Sequence, residues 1–202
     1  MTLTDLQPAM AQIEGHSMIH DLRSITYLLT YASIRALGAA AGPIHLDRFN
    51  QLAAMVYGWM PRILRIDPIH IPSALTALAV AQTATAATLR ATPVADVAAC
   101  LHSLVGASKI LHFVNDSVFP IWDSNIETFR LNSPPPHNHM NVIANYLAYA
   151  DEVHAIRRDP GFPIFLTQLT AALNARLAAL GIAHCPISQV RAIEAAAFEL
   201  AP

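Results

Sequence analysis

The chain is poor in charge, in cysteine, in glycine and, above all, in lysine. Only 13% of its 202 residues are charged, and the formal net charge is −2. No basic tail or stripe occurs, which argues against extended duplex binding through phosphate neutralisation. The two cysteines, Cys100 and Cys185, are too few to staple a small secreted fold. Cys100 follows Val97, Ala98 and Ala99 and reads as a small core residue. A membrane-spanning run is also missing. The longest stretch without a charge, Pro68 to Leu89, holds Pro72, His70, Gln82 and four threonines and partitions poorly into lipid. The start, Met1-Thr2-Leu3-Thr4-Asp5, has neither the basic residues nor the apolar run of a signal peptide. A cytoplasmic, bacterial-type protein with no membrane attachment is expected.

The single lysine, Lys109, stands against eleven arginines. Where an alanine-rich, arginine-for-lysine composition rules, a retained lysine points to a task arginine cannot perform, such as giving up its proton to become a nucleophile.

What is present is helix. Hydrophobic residues make up 54%, enough to fill a core, and alanine supplies much of them. No alternating strand pattern of useful length occurs. The expectation is a single all-α, orthogonally packed multi-helix domain over residues 1–202, with the proline run at 133–137 as an internal loop. Helices are predicted over Thr4–Ile13; Ser17–Leu37, with Ile25, Leu28, Leu29, Ala32 and Leu37 mainly on one face; and Asp47, as cap, to Leu64, kinked or ended by Pro61. Others run from Ser73 as cap to Arg90, from Thr92-Pro93 to Leu104, and over Ala107–Val114 and Ser124–Leu131. The last three cover Met140–Ile156, Pro163–Leu180 and Ser188–Leu200. The run Val56 to Met60 is expected to be buried.

Chemistry concentrates between Gly106 and Leu131. In Leu104-Val105-Gly106-Ala107-Ser108-Lys109-Ile110-Leu111-His112-Phe113 a glycine turn is expected to lead into a short helix carrying Lys109 in its first turn. Fourteen residues later, Phe119-Pro120-Ile121-Trp122-Asp123-Ser124-Asn125-Ile126 brings an apolar connection to an aspartate that opens another helix. An amine and a carboxylate at the starts of consecutive short helices can share one cleft.

This pattern resembles the helix-hairpin-helix DNA glycosylase superfamily over residues 104–131. There a glycine turn precedes a lysine on a helix, and a Pro-hydrophobic-Asp stretch presents an aspartate at the next helix start. The matching positions are Gly106, Lys109, Pro120 and Asp123. One glycine stands where the family commonly has two, and the lysine-to-aspartate spacing is shorter. The resemblance implies DNA as partner, a base flipped into a pocket, Lys109 as nucleophile at the sugar C1′ and Asp123 stabilising charge or activating the amine. His112, three residues on, is the candidate proton relay. Gly106, Trp122, Asn125, Trp59 and Tyr57 complete the expected substrate-binding set, with Trp122, Phe113 or Trp59 as stacking walls. No cofactor is implied.

Plainer readings stand beside these. Ser124 and Glu127 form a Ser-x-x-Glu capping box, so Asp123 can serve only to start a helix. Lys109 can be a solvated lysine, and Phe119, Ile121 and Trp122 can be core. The alternative function is a non-catalytic helical protein acting through a protein partner, of a bacterial defence or toxin–antitoxin type. His16 and His20, spaced i, i+4 beside Asp21, have metal-ligand spacing, but no His-Glu-x-x-His pattern occurs, and no metal site is expected. His137 and His139, flanking Asn138, read as a solvated loop.

Overall fold

The computed structural model describes residues 1–15, 21–60, 62–184 and 186–201. The His16/His20 pair, the expected helix start at Ser17, the Pro61 break and Cys185 lie outside them. The described residues are all helix and connection, with no strand.

Local chemistry sets the boundaries. Pro8 splits the expected first helix into α1 (Leu3–Leu6) and α2 (Ala9–Gly15), because a proline ring cannot continue a helix without clashing with the preceding turn. Helix α3 (Leu22–Gly38) begins at Asp21, whose carboxylate accepts the Ser24 N–H at 3.1 Å. In α4 (Leu46–Trp59), Asp47 lies in the first turn and caps nothing; its charge favours the helix dipole instead. The Val56–Met60 run is buried as expected, apart from Gly58.

Helix α5 (Ile71–Thr83) stops seven residues short of Arg90. The Asn115 amide donates to the end carbonyls of Ala81 and Ala84 at 2.9 and 3.0 Å, replacing the helical bonds those carbonyls lack. Helix α6 (Val94–Leu101) starts without a Thr92 cap and ends three residues before Leu104, at His102 in a left-handed conformation (φ 47°). Helix α7 (Leu104–Val114) follows at once. Helix α8 (Ser124–Leu131) has the bounds read from the sequence, and α9 (Ile143–Ile156), α10 (Phe162–Ala179) and α11 (Gln189–Glu199) complete the chain.

Helix α7 is the axis of the molecule. Every residue from Gly106 to Val114 is buried, because α3, α4, α5 and α6 all pack on it. Residues before and after the proline run share one hydrophobic core, from Leu3 to Ala197. The inward face of α3 is Tyr31, Ile34 and Gly38, whereas Leu29, 55% exposed, and Ala32, both on the apolar face read from the pattern, face outward. The cause is Gly38: a Cβ there would lie 2.1 Å from the Phe113 carbonyl oxygen. Only a bare backbone lets α3 come this close to α7, and that contact sets the helix's rotation. No helix of the described residues is long and apolar enough to cross a membrane.

Two glycine substitutions test this packing by opposite signs. Gly58→Ala, in helix α4 with open space around it, should stabilise by about 0.5–1 kcal/mol through helix propensity. Gly38→Ala meets backbone that cannot yield and should destabilise by about 3 kcal/mol. Urea denaturation of both proteins reads the difference, and equal effects would contradict the close approach.

Candidate active site

The site is built where α7 meets the connection that follows it. Gly106 is not part of a turn, contrary to the expectation: it lies inside α7. The turn consists of His102 and Ser103, and the Ser103 hydroxyl accepts the Gly106 N–H at 3.0 Å. A Cβ at 106 would stand 2.5 Å from the Tyr57 hydroxyl oxygen, so any other residue there would have to displace the Tyr57 ring. Lys109 consequently sits in the second turn of α7, not the first.

The connection Asn115–Asp123 has no regular structure, yet Val118 to Trp122 are buried. Buried backbone groups without a helix or sheet need side-chain partners, and here five side chains from three helices supply them. The Val118 carbonyl is 2.8 Å from His154 Nε2, the Phe119 carbonyl is 2.9 Å from His112 Nδ1, and the Pro120 carbonyl accepts the Tyr146 hydroxyl at 3.2 Å. The Ile121 N–H donates to Glu194. The Trp122 N–H donates to Ser108 Oγ at 3.0 Å, and its indole N–H to Glu127 Oε2 at 3.1 Å. Ser108 precedes Lys109 as Trp122 precedes Asp123. The Ser108–Trp122 bond therefore sets the register in which Lys109 Nζ reaches Asp123 Oδ2, at 3.3 Å.

Asp123 divides its carboxylate. Oδ1 accepts the Asn125 N–H at 3.0 Å and starts α8, while Oδ2 faces Lys109. It is the cap of α8, in the place where a Ser124–Glu127 box was a candidate. Glu127 is instead fully buried. It takes hydrogen bonds from Trp122, from Arg130 Nε at 2.8 Å and from His139 Nε2 at 2.5 Å. Burial pushes its pKa up, but the bonds from Arg130, Trp122 and His139 outweigh that and hold it below the ordinary carboxylate value. His139 is thereby a tie between the proline loop and α8, not a solvated residue.

The Lys109–Asp123 pair opens to water at its acid end: the Lys109 side chain is 10% exposed and that of Asp123 25%. The Lys109 ammonium lies 5.7 Å from the centre of the Trp59 ring. The Arg191 guanidinium, from α11, lies 5.9 Å from the same ring and 5.1 Å from Tyr31. Arg62 and Arg191 act electrostatically on Lys109, and Arg23 on Asp123. Burial lowers the Lys109 pKa below that of an exposed lysine; the Asp123 carboxylate works against this, and the two arginines add to it.

The remaining expected residues are dispersed. His112 is fully buried, with Nε2 2.9 Å from the Tyr31 hydroxyl and Nδ1 engaged by Phe119 and, at 3.3 Å, by Glu194. Both its ring nitrogens are committed, so a relay to Lys109 has no free atom to run through. Trp122 is fully buried against His139 and Tyr146, and Phe113 is core; among the described residues Trp59 is the one of the three aromatic candidates whose ring faces the Lys109 ammonium. Tyr57 lies beneath Gly106 and donates to the Leu101 carbonyl at 3.3 Å. Asn125 is exposed beside Asp123. Sequence reasoning missed Arg191 and Glu194. The one available signal was a charged i, i+3 pair in an otherwise alanine-rich last helix.

Among the described residues no group of three His, Cys, Asp or Glu side chains could hold a metal ion. A cavity of about 670 Å³ opens at the far end of α8, between Met1, Asp5, Arg130, Pro134 and Leu200, and includes neither Lys109 nor Asp123. Comparison with protein-family models, curated proteins and solved structures yields no match.

Because Lys109 is the only lysine, its titration is directly readable. Reductive ¹³C-methylation followed by NMR should give a pKa below about 10.4, the value of an exposed lysine. The unfolded chain then binds more protons than the folded one between the two values, so stability rises with pH across that interval. The penalty of the buried ammonium is fully present below the folded value. A pKa at or above that of an exposed lysine would contradict the desolvated setting.

Proposed function

We propose that this protein is a divergent DNA glycosylase-like enzyme with lyase chemistry, in which Lys109 is the nucleophile. The observation that carries this reading is the contact between a largely desolvated amine and a part-exposed carboxylate, Lys109 Nζ to Asp123 Oδ2 at 3.3 Å. Desolvation favours the neutral amine, which is the nucleophilic form, and Asp123 stands where a proton leaving Nζ would be received. The Nζ lone pair forms a bond to C1′ as the bond from C1′ to the base breaks, and the electron pair leaves with the base, which takes up a proton. One amine proton passes by way of Asp123 to the departing base; the nitrogen lone pair then forms the C=N bond as the C1′–O4′ bond breaks, and O4′ takes that electron pair and the last amine proton, leaving an imine between Lys109 and the sugar.

Trp59 serves as the wall against which the extruded nucleotide packs. Asn125 acts through its backbone, holding Oδ1 so that Oδ2 is left for the lysine. His112 and Trp122 position the connection and touch no substrate.

Borohydride trapping on DNA with an abasic site tests the proposal. Wild-type protein should give a covalent adduct, Lys109→Ala none, and Asp123→Asn, which keeps the cap, an adduct formed about 100-fold more slowly. No adduct from wild-type protein, or an equal one from Lys109→Ala, would overturn the enzyme reading and leave a helical interaction protein.

A further inference from the structure

We infer that the exposed guanidinium edge of Arg191, beside the Trp59 ring, is a phosphate receptor, with Arg23 and Arg62 as further donors around it. The inference rests on the nucleotide reading above only for the source of the phosphate. The receptor itself stands on the arrangement of the guanidinium groups.

Arg191 is half-satisfied. Nη1 donates to Glu194 Oε2 at 3.1 Å, while Nε and Nη2 meet no acceptor among the described residues. Those two nitrogens are also not sealed off. The buried side-chain nitrogens and oxygens without a partner, among the described residues, are Thr92 Oγ1, Tyr149 Oη and Arg176 Nε. Arg191 therefore offers an N–H edge to solvent from a side chain that is 21% exposed and seated against two aromatic rings. A guanidinium edge of this kind matches a phosphate, which accepts two parallel N–H bonds.

Its surroundings reinforce the match. Lys109 shares the Trp59 ring with it. Arg23 Nε donates to the Tyr27 hydroxyl at 2.6 Å, and Tyr27 meets Trp59 edge-on at 5.3 Å. Among the described residues neither Arg23 nor Arg62 has a carboxylate within ion-pair distance, unlike Arg35, Arg90, Arg130, Arg176 and Arg191. Four cations, Lys109, Arg23, Arg62 and Arg191, thus stand against three carboxylates, Asp21, Asp123 and Glu194, in a chain of net charge −2. Like charges gathered around an apolar wall repel unless an anion lies among them. The turn before α7 cannot take over the task through the Gly106 N–H, which Ser103 already occupies.

The experiment is an NMR titration of the full chain with inorganic pyrophosphate, following the Trp59 indole N–H. A saturable shift is expected, weakened by added salt. Arg191→Gln should raise the dissociation constant about tenfold, and the exposed changes Arg23→Gln and Arg62→Gln about threefold each. The two exposed variants keep the test valid should Arg191→Gln fail to fold. The inference is overturned if no saturable shift occurs at millimolar pyrophosphate, or if the Arg23→Gln/Arg62→Gln protein binds as wild type does. Pyrophosphate binding that is lost in the variants, without borohydride trapping on abasic DNA, would uphold the receptor and remove the nucleotide as its source. Trapping without pyrophosphate binding would do the reverse.

Discussion

The arrangement depends on a buried segment that has no secondary structure of its own. Between Asn115 and Asp123 the backbone runs through the interior, where an unpaired N–H or C=O costs about 1–3 kcal/mol. His154, His112, Tyr146, Glu194 and Ser108 each take one of those groups. Because the partners come from α9, α7 and α11, the segment is fixed in register against three helices at once. Asp123 is delivered at its end with little freedom left, and the neighbouring bond between Ser108 and Trp122 puts Lys109 opposite it. Preorganisation of this kind is what a reacting pair requires: groups held by packing and by hydrogen bonds to a supporting layer, with no reorganisation left for the moment of reaction.

The scarcity of charge gains meaning in this light. Several of the few charged residues are buried or half-buried, as in Arg130 with Glu127 and Glu152, Arg176 with Glu199, and Arg191 with Glu194. Such pairs add little net stability over an apolar replacement, but losing one partner is costly, so they favour one arrangement over its competitors. Glu127 and Glu194 both anchor the connection, one through the Trp122 indole and one through the Ile121 N–H. Those two carboxylates and the candidate site therefore belong to one network. Lys109 and Asp123 are its solvent-facing end.

The parts of this legible in the sequence were local. Helix α8 has the bounds its pattern predicts, since an aspartate cap and a short amphipathic run are near-neighbour effects. The fourteen-residue separation of Lys109 and Asp123 correctly suggested that the two could meet. What was not legible depended on distant residues. Gly106 looks like a turn glycine but sits inside α7, where the Tyr57 hydroxyl of another helix takes the place its Cβ would occupy. The rotation of α3 follows from Gly38 against Phe113, seventy-five residues away in the chain. The helix break before α7 falls on His102, a left-handed residue that is not a glycine and gives no signal. Arg191 and Glu194 come from the last helix, and nothing local marks them as partners of Ile121 and Trp59.

The clamped connection is tested most directly by native-state amide hydrogen exchange at Ile121 and Trp122. Both amides lie outside any helix, and an ordinary loop exchanges freely. If the Glu194 and Ser108 bonds hold the segment, both should be protected about as strongly as the core amides of α7, opening only with the whole fold. Exchange at the rate of an exposed loop would show that Asp123 is not held against Lys109 by its own connection, and the account of the site would fail with it.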